Sequence, residues 1–163
     1  AAGRSAAAGT SSAAVGRPKA GPTSRRTFVP PIRRVIVVPT LSIPVQVRCP
    51  DLDPLNHVNH VAYFALMETA RVEFLSTRAK TLFGSVVIAH SECSYKGEIR
   101  GGTGLFDVTV SIEKVGTTSF TVLHELYVEG ELKAVGRTVQ VARGADHRPR
   151  PLTDDERALL AAS

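Results

Sequence analysis

The stretch DLDPLNHVNH, residues 51–60, runs straight into the apolar segment VAYFALMETAR, residues 61–71. The first part holds two carboxylates, two histidines and two asparagines, residue types that begin helices and carry out acid–base chemistry. The second part is apolar around most of a helix circumference, which is typical of a helix buried inside a domain. This junction therefore predicts a reactive loop at the N-terminus of a core helix.

Composition is that of one globular domain. The chain has 163 residues, of which 43% are hydrophobic. Its longest apolar run, residues 35–47, is broken by Pro39 and Pro44 and falls short of the roughly 20 residues needed to span a bilayer. Cys49 and Cys93 are too few for a disulfide framework and lack metal-site spacing, so we expect a soluble protein with reduced thiols.

Positive charge is concentrated at the N-terminus. The net charge is +5, yet residues 1–50 contain eight basic side chains and no acidic one, and the remainder contains 12 basic and 15 acidic. The basicity belongs to a leader, residues 1–34, so we expect no nucleic-acid partner. This Ala-, Gly-, Ser- and Arg-rich leader is predicted to be disordered. It is either a plastid or mitochondrial transit peptide or a plain extension of a cytoplasmic protein.

The rest of the chain predicts an α+β domain over residues 35–150. A helix is expected at residues 59–78, and residues 151–163 form a tail with room for a short helix. Alternating or β-branched segments predict one strand before the long helix and four after it. These strands are expected at residues 41–48, 85–94, 105–113, 119–128 and 132–142. The economical architecture is a curved antiparallel sheet of about five strands wrapped around one long central helix.

Four segments together resemble a known family. They are the Asp-x-Asp-x-x-x-His-Val-Asn motif at residues 51–59, the helix segment 67–71, the strand end 93–95 and the closing segment 134–138. The chain resembles the hotdog-fold acyl thioesterases of the 4-hydroxybenzoyl-CoA thioesterase type over residues 41–142. The resemblance implies a hotdog fold and an acyl-CoA thioesterase activity.

A carboxylate before a helix N-terminus lies beside backbone N–H groups that lack partners within the helix. Such fixed donors can hold the oxyanion that forms when a thioester is attacked. The resemblance makes Asp53 the catalytic carboxylate, as nucleophile or as general base for water, and makes the His60 backbone N–H the oxyanion donor. The alternative for Asp53 is a turn-forming or helix-capping role without chemistry.

The remaining polar residues of the motif are expected to shape the loop or to lie near substrate. Asn56 stands where many relatives have glycine, and asparagine tolerates the positive φ that such a position requires. His57 and Asn59 are expected to cap the helix and secure the loop, and Tyr63 to lie in the core or at an interface. Asp51 is expected to shape the turn. No metal is expected, because His57 and His60 lack a third ligand.

Outside the motif, Glu68 and Arg71 are spaced to form an ion pair on one helix face. Some related enzymes carry a catalytic Glu on this helix, which gives Glu68 a lesser claim. Lys96 and Arg100 are candidate phosphate contacts, although a solvated charged turn also explains them. His90 and His124 lie in predicted strands and are expected to be sheet residues without a ligand role.

The predicted function is hydrolysis of an acyl-CoA or acyl-carrier-protein thioester, in fatty acid metabolism, to a carboxylic acid and a thiol. No cofactor is required for this reaction. Two alternatives remain open, a non-catalytic hotdog module that binds acyl thioesters and a hotdog dehydratase. The resemblance also implies a homodimer or homotetramer. The acyl chain length and type are not specified by the sequence.

Overall fold

The structure is a computed structural model in which residues 40–162 are described. The basic leader, residues 1–34, lies outside the described residues, and so does the choice between a transit peptide and an extension. Within residues 40–162, five strands and two helices follow one another, with a short 3-10 helix after the first strand. They are β1 (Leu41–Gln46), the 3-10 helix (Cys49–Asp51), α1 (His60–Arg78), β2 (Val86–Tyr95), β3 (Leu105–Val115), β4 (Ser119–Val128), β5 (Glu131–Ala142) and α2 (Asp154–Ala162).

The five strands form one antiparallel sheet in the order β1-β3-β4-β5-β2. Their order along the chain, and their bounds to within about two residues, match the sequence expectation. In β3, Val108, Val110 and Ile112 are buried while Thr109 and Ser111 on the other face are only partly covered. The period of two therefore identifies the face of the sheet that carries the core.

The β4–β5 hairpin shows how local sequence sets the register. Glu129 and Gly130 both have positive φ, 52° and 80°. Two such residues make the tight turn that matches the right-handed twist of paired strands. The turn aligns Val128 with Glu131 and brings His124 opposite Gly136 farther along the ladder.

Helix α1 packs one face against the sheet. Its buried positions recur in adjacent pairs every four residues, as expected for one side of a helix: Ala62, Tyr63, Leu66, Met67, Ala70, Arg71, Phe74 and Leu75. A Cβ at Gly136 of β5 would overlap the sulfur of buried Met67, so glycine allows the Met67 side chain to pack directly against this strand.

The apolar pattern of α1 predicts a helix buried nearly all round, and this is wrong for the single chain. Val61, Phe64 and Val72 are exposed by 63%, 36% and 37%. The described residues also contain a second helix, α2, in the C-terminal segment where the sequence allowed a short one. Helix α1 has apolar residues on two faces. One face contacts the sheet, and the other is open in the single chain.

The C-terminal segment packs onto the domain. Helix α2 contacts β3, and Leu152 and Leu160 are buried with the core residues. Glu156 is also buried, and its carboxylate accepts hydrogen bonds from both terminal nitrogens of Arg150, at 2.6 and 2.7 Å. Arg150 accordingly lowers the pKa of Glu156. The segment expected as a tail with a short helix thus contributes Leu152 and Leu160 to the core.

A series of hydrogen-bonded polar side chains crosses the core between α1 and the sheet. Buried Arg71 donates to the Gln140 side chain at 3.2 Å, and Gln140 donates to Thr138 at 3.0 Å. Thr138 in turn lies 3.2 Å from Nε2 of His124. Burial, assisted by the positive charge of Arg71, lowers the pKa of His124 to about 3, so this imidazole is neutral.

Neither α1 nor α2, the helices of the described region, is long and apolar enough to cross a membrane.

Candidate active site

The loop before α1 is secured at its first residue. Asp51 is buried and accepts hydrogen bonds from the backbone N–H of Arg48 at 2.7 Å and from its guanidinium at 3.1 and 3.2 Å. The bonds from the Arg48 side chain lower the pKa of Asp51 more than burial raises it. The Asp51 carbonyl also accepts from the Asn59 N–H at 2.8 Å. Asp51 therefore shapes the loop, as its expected role requires.

Asp53 is oriented through one carboxylate oxygen. Its Oδ1 accepts hydrogen bonds from the backbone N–H groups of Leu55 and His57, each at 2.9 Å. Its own N–H donates to the His57 carbonyl at 2.8 Å. Within residues 40–162 no donor contacts Oδ2. The turn geometry thus holds Asp53 in place and leaves one oxygen available for chemistry.

Helix α1 begins with an asparagine cap. The side chain of Asn59 accepts from the Val61 N–H at 3.0 Å, and its carbonyl accepts from the Ala62 N–H at 2.9 Å. The intervening His60 N–H has no acceptor among the described residues. A free donor at the positive end of a 19-residue helix is suited to hold developing negative charge.

Asp53 and His60 line one surface pocket of about 500 Å³. The pocket lies between the loop, the first turn of α1, the end of β2 and the segment that follows it. Its lining residues are Asp53, His57, Val58, His60, Tyr63, Tyr95, Lys96, Gly97, Glu98 and Ile99. The structure therefore brings five residues with expected roles to one site and adds two, Tyr95 and Glu98, whose roles sequence reasoning did not anticipate; the five are Asp53, His57, His60, Tyr63 and Lys96.

Two tyrosines form an aromatic wall of this pocket. The rings of Tyr63 and Tyr95 meet edge to face with centroids 5.0 Å apart. The Tyr95 hydroxyl donates to the carbonyl of His60 at 3.4 Å. Burial raises the pKa of Tyr63, so its hydroxyl stays protonated at neutral pH. Tyr63 is buried at this wall, which fits the core position expected from its sequence.

His57 does not cap the helix. Its Nε2 lies 3.3 Å from a carboxylate oxygen of Glu98, and the other oxygen of Glu98 accepts from Nε of Arg100 at 2.7 Å. The two segments are also joined by the Val58 N–H, which donates to the Ile99 carbonyl at 2.7 Å. Glu98 could not be anticipated because the contact depends on the folded position of a loop 41 residues along the chain.

The two candidate phosphate contacts differ. Lys96 lines the pocket and has no ion-pair partner among the described residues, whereas the Arg100 guanidinium is bound to Glu98.

Asn56 lies at the turn with φ of 62° and its carbonyl accepts from the Gly101 N–H at 2.8 Å. A Cβ at Gly101 would clash with the Asn56 side-chain oxygen, so the two loops touch closely here.

Glu68 forms the expected ion pair with Arg71. It lines a separate groove of about 840 Å³ between β1 and the later turns of α1, not the pocket of Asp53. His90, on β2, lies with its Nε2 3.5 Å from the Glu92 carboxylate, and it lines neither the groove nor the pocket of Asp53. In the described part of the chain, no three His, Cys, Asp or Glu side chains are grouped to hold a metal ion.

A model of the thioesterase-like superfamily matches residues 47–160, which is more than half of the sequence. The chain belongs to this superfamily. The thioesterase resemblance inferred from the sequence is thereby confirmed, while the 4-hydroxybenzoyl-CoA type remains a prediction. A comparison with curated protein sequences found no significant match.

Solved structures agree with this family. A predicted thioesterase from Bacillus stearothermophilus is 30% identical with a TM-score of 0.66, over 75% of this chain and 94% of that chain. A thioesterase from Thermus thermophilus, solved with coenzyme A and zinc, is 32% identical with a TM-score of 0.66, over 74% and 92%. A 1,4-dihydroxy-2-naphthoyl-CoA thioesterase from Synechocystis, 16% identical with a TM-score of 0.65 over 75% and 96%, shares the fold.

Proposed function

We propose that this protein hydrolyses an acyl thioester to a carboxylic acid and a thiol, with Asp53 as the catalytic carboxylate. One observation carries the proposal: the unbonded Oδ2 of Asp53 and the unbonded N–H of His60, as judged within residues 40–162, belong to residues that line the same pocket. Thioester hydrolysis requires an attacking group and a donor for the oxyanion, and this pocket offers both.

In the proposed reaction the thioester carbonyl oxygen accepts the His60 N–H at the N-terminus of α1. Asp53 then either attacks the carbonyl carbon directly or takes a proton from an attacking water. The thiolate is a good leaving group because a thiol, with an ordinary pKa of about 8.5, is a much stronger acid than an alcohol. The side chain of His60 has no required part, since the donor is the backbone.

Coenzyme A is the favoured thiol carrier, with acyl carrier protein as the alternative. Lys96, whose ammonium is unpaired within the described region, lines the pocket and could contact a phosphate of either carrier. The Thermus thermophilus relative binds coenzyme A, which supports the same carrier here. Arg100 is the lesser candidate, since Glu98 already occupies its guanidinium.

The finer fold proposal is the hotdog arrangement, with the sheet curved around α1 and a second subunit completing the acyl site. Strand β2 is a ten-residue edge strand, and its Val87 and Ile88 are exposed by 39% and 45%. A long apolar edge of this kind is a template for pairing with another chain. The exposed Val61 and Phe64 next to His60 would then contact the acyl group or the partner.

The activity is tested by thiol release from purified protein over a series of acyl-CoA chain lengths and aromatic acyl-CoA thioesters, with the products identified by mass spectrometry. The proposal predicts release of free acid and thiol, with a rate that depends on the acyl group. Saturable binding without hydrolysis would support a non-catalytic module. An enoyl product with the thioester intact would support a dehydratase. Either result would contradict the proposal.

A further inference from the structure

The exposed face of α1 is apolar at the start of the helix, directly after His60. Val61 is exposed by 63% and Phe64 by 36%, and Ala65 is also exposed. Phe64 and Ala65 follow Val61 by three and four residues, so the three side chains are neighbours on one face of the helix. We call Val61, Phe64 and Ala65 the apolar strip. It begins one residue after the backbone N–H that is the proposed oxyanion donor.

A charged residue ends the apolar strip. Glu68 lies seven residues after Val61, two turns along the same face, and its side chain is half exposed. Its carboxylate is ion-paired with Arg71, which is buried and also donates to Gln140 of the sheet at 3.2 Å. Because Arg71 is fixed in the core, it holds the Glu68 carboxylate in place. The next exposed apolar residue of this face, Val72, lies beyond Glu68 in the groove beside β1.

The two substituents of a bound thioester carbon, the carrier sulfur and the acyl chain, leave that carbon in different directions. The pocket presents charged groups at Asp53, Glu98 and Lys96, and the polar carrier is the substituent suited to them. A hydrocarbon chain gains free energy by leaving water for an apolar surface. The apolar strip offers such a surface to a chain whose carbonyl oxygen accepts the His60 N–H.

We propose that the apolar strip binds the acyl chain of the substrate and that Glu68 is a specificity-determining residue that sets the upper limit of chain length. This inference rests on the proposed function and names its substrate class, straight-chain acyl thioesters of medium length. Glu68 acts as a limit because a longer hydrocarbon chain would displace water from an ionised carboxylate, which costs free energy.

Helix geometry converts the position of Glu68 into a chain length. With a rise of about 1.5 Å per residue, Glu68 lies about 12 Å beyond His60 along the helix axis. An extended hydrocarbon chain advances about 1.2 Å with each carbon–carbon bond. A chain that starts at the carbonyl carbon beside the His60 N–H therefore reaches Glu68 after about ten carbons.

The test is the dependence of kcat/KM for thiol release on chain length, measured with saturated acyl-CoA thioesters from butyryl-CoA to palmitoyl-CoA. For the wild type, kcat/KM should rise by up to about fourfold with each added methylene group, because each one leaves water on the apolar strip. The rise should stop at about ten carbons.

Two substitutions should move this limit in opposite directions. Glu68→Gln removes the charge but retains an oxygen that can accept from Arg71. It should raise the ratio of kcat/KM for palmitoyl-CoA to that for octanoyl-CoA by at least about fivefold. Ala65→Glu places a carboxylate earlier on the strip and should lower the limit to about six carbons. Ala65→Gln, of the same size without the charge, should shift the limit less.

Glu73→Gln is the matched control for Glu68→Gln. Glu73 also lines the groove beside β1, but it lies about 140° around the helix axis from Glu68 and away from the path of the chain. This variant should keep the wild-type ratio of kcat/KM for palmitoyl-CoA to that for octanoyl-CoA.

Three results would overturn the inference: a wild-type kcat/KM that rises steadily to palmitoyl-CoA, an unchanged limit in both Glu68→Gln and Ala65→Glu, or an equal loss at every chain length in Glu68→Gln. A wild type that hydrolyses only aromatic acyl-CoA thioesters would also overturn it. Each of these results includes thiol release by the wild type and so leaves the proposed function intact. A wild type that releases no thiol from any acyl-CoA would contradict the proposed function itself.

Discussion

At the scale of single residues, the site depends on backbone positions as much as on side chains. Asp53 is held by two backbone N–H donors, and the role proposed for His60 requires its backbone N–H and not its side chain. Asp51 and Asp53 are the same residue type two positions apart, yet one is buried against Arg48 and the other lines the pocket. The sequence motif contains both, and only the folded loop separates the structural role of Asp51 from the chemical role proposed for Asp53.

Asn56 gives a prediction about this loop. Its φ of 62° disfavours residues with a Cβ, although asparagine tolerates it better than most. Asn56→Ala should lower the free energy of unfolding by about 1 kcal/mol. Asn56→Gly should lower it less, because glycine adopts this conformation freely. Urea denaturation measures both variants, and an alanine variant as stable as wild type would show that the loop backbone can relax.

His124 gives a second residue-scale prediction, on pH. Its pKa is lowered to about 3 by burial in the folded state, while the unfolded chain has the ordinary value near 6.5. The unfolded state therefore binds more protons between these values. The stability that this neutral imidazole contributes is fully present above the unfolded pKa and falls as pH decreases toward the folded one.

The slope from this one group approaches about 1.4 kcal/mol per pH unit. Chemical denaturation at about pH 7, 6 and 5 measures it, above the range in which most carboxylates titrate. His124→Gln, which can still hydrogen-bond Thr138, should have a shallower slope. Equal slopes in the two proteins would show that His124 does not remain neutral in the folded chain.

At the scale of elements, the strands and the long helix were predictable because their patterns are local. The period of two in β3 and the turn at residues 129–130 depend on neighbours along the chain. The contact between His57 and Glu98, and the position of Tyr95 in the pocket, depend on how the end of β2 meets the loop. No local pattern encodes that meeting, so these residues were not assigned a role.

The N-terminus of α1 gives the prediction at this scale. Asn59→Ala removes the cap from the helix and should lower the free energy of unfolding by about 1 kcal/mol. It should also reduce the rate of thiol release, because the His60 N–H lies one residue further on. Asn59→Asp retains an acceptor and should preserve stability. Thermal unfolding and thiol release are measured together, and unchanged values for the alanine variant would contradict the capping role.

At the scale of the whole molecule, the prediction that α1 is buried nearly all round is wrong because the single chain leaves some of its apolar residues exposed. A sequence that is apolar on both helix faces indicates burial without specifying whether the same chain provides it. The single chain leaves four apolar side chains exposed, Val61 and Phe64 on α1 and Val87 and Ile88 on β2. Pairing of subunits through β2 remains a proposal from this exposure.

Pairing of subunits through β2 predicts that a substitution on this strand changes the mass of the protein in solution. The wild type should elute and scatter light as at least a dimer, and Ile88→Lys should shift it toward monomer because edge lysines oppose strand pairing. Val72→Lys is the control, since Val72 lines the groove beside β1 at the opposite edge of the sheet. A monomeric wild type would exclude the interface. A dimer unaffected by Ile88→Lys would show that the interface does not involve this part of β2.

The chemistry of the whole account rests on Asp53, and the steady-state rate of thiol release by Asp53→Asn tests it most directly. Asparagine retains an oxygen that can accept the Leu55 and His57 N–H bonds, so the loop is preserved while the reactive carboxylate is lost. Asp146→Asn is the matched control, because Asp146 accepts a similar turn bond from the Arg148 N–H at 3.0 Å outside the pocket. We predict that Asp53→Asn is slower by at least about 100-fold and that Asp146→Asn matches wild type. An Asp53→Asn rate equal to that of wild type would show that Asp53 only forms the turn.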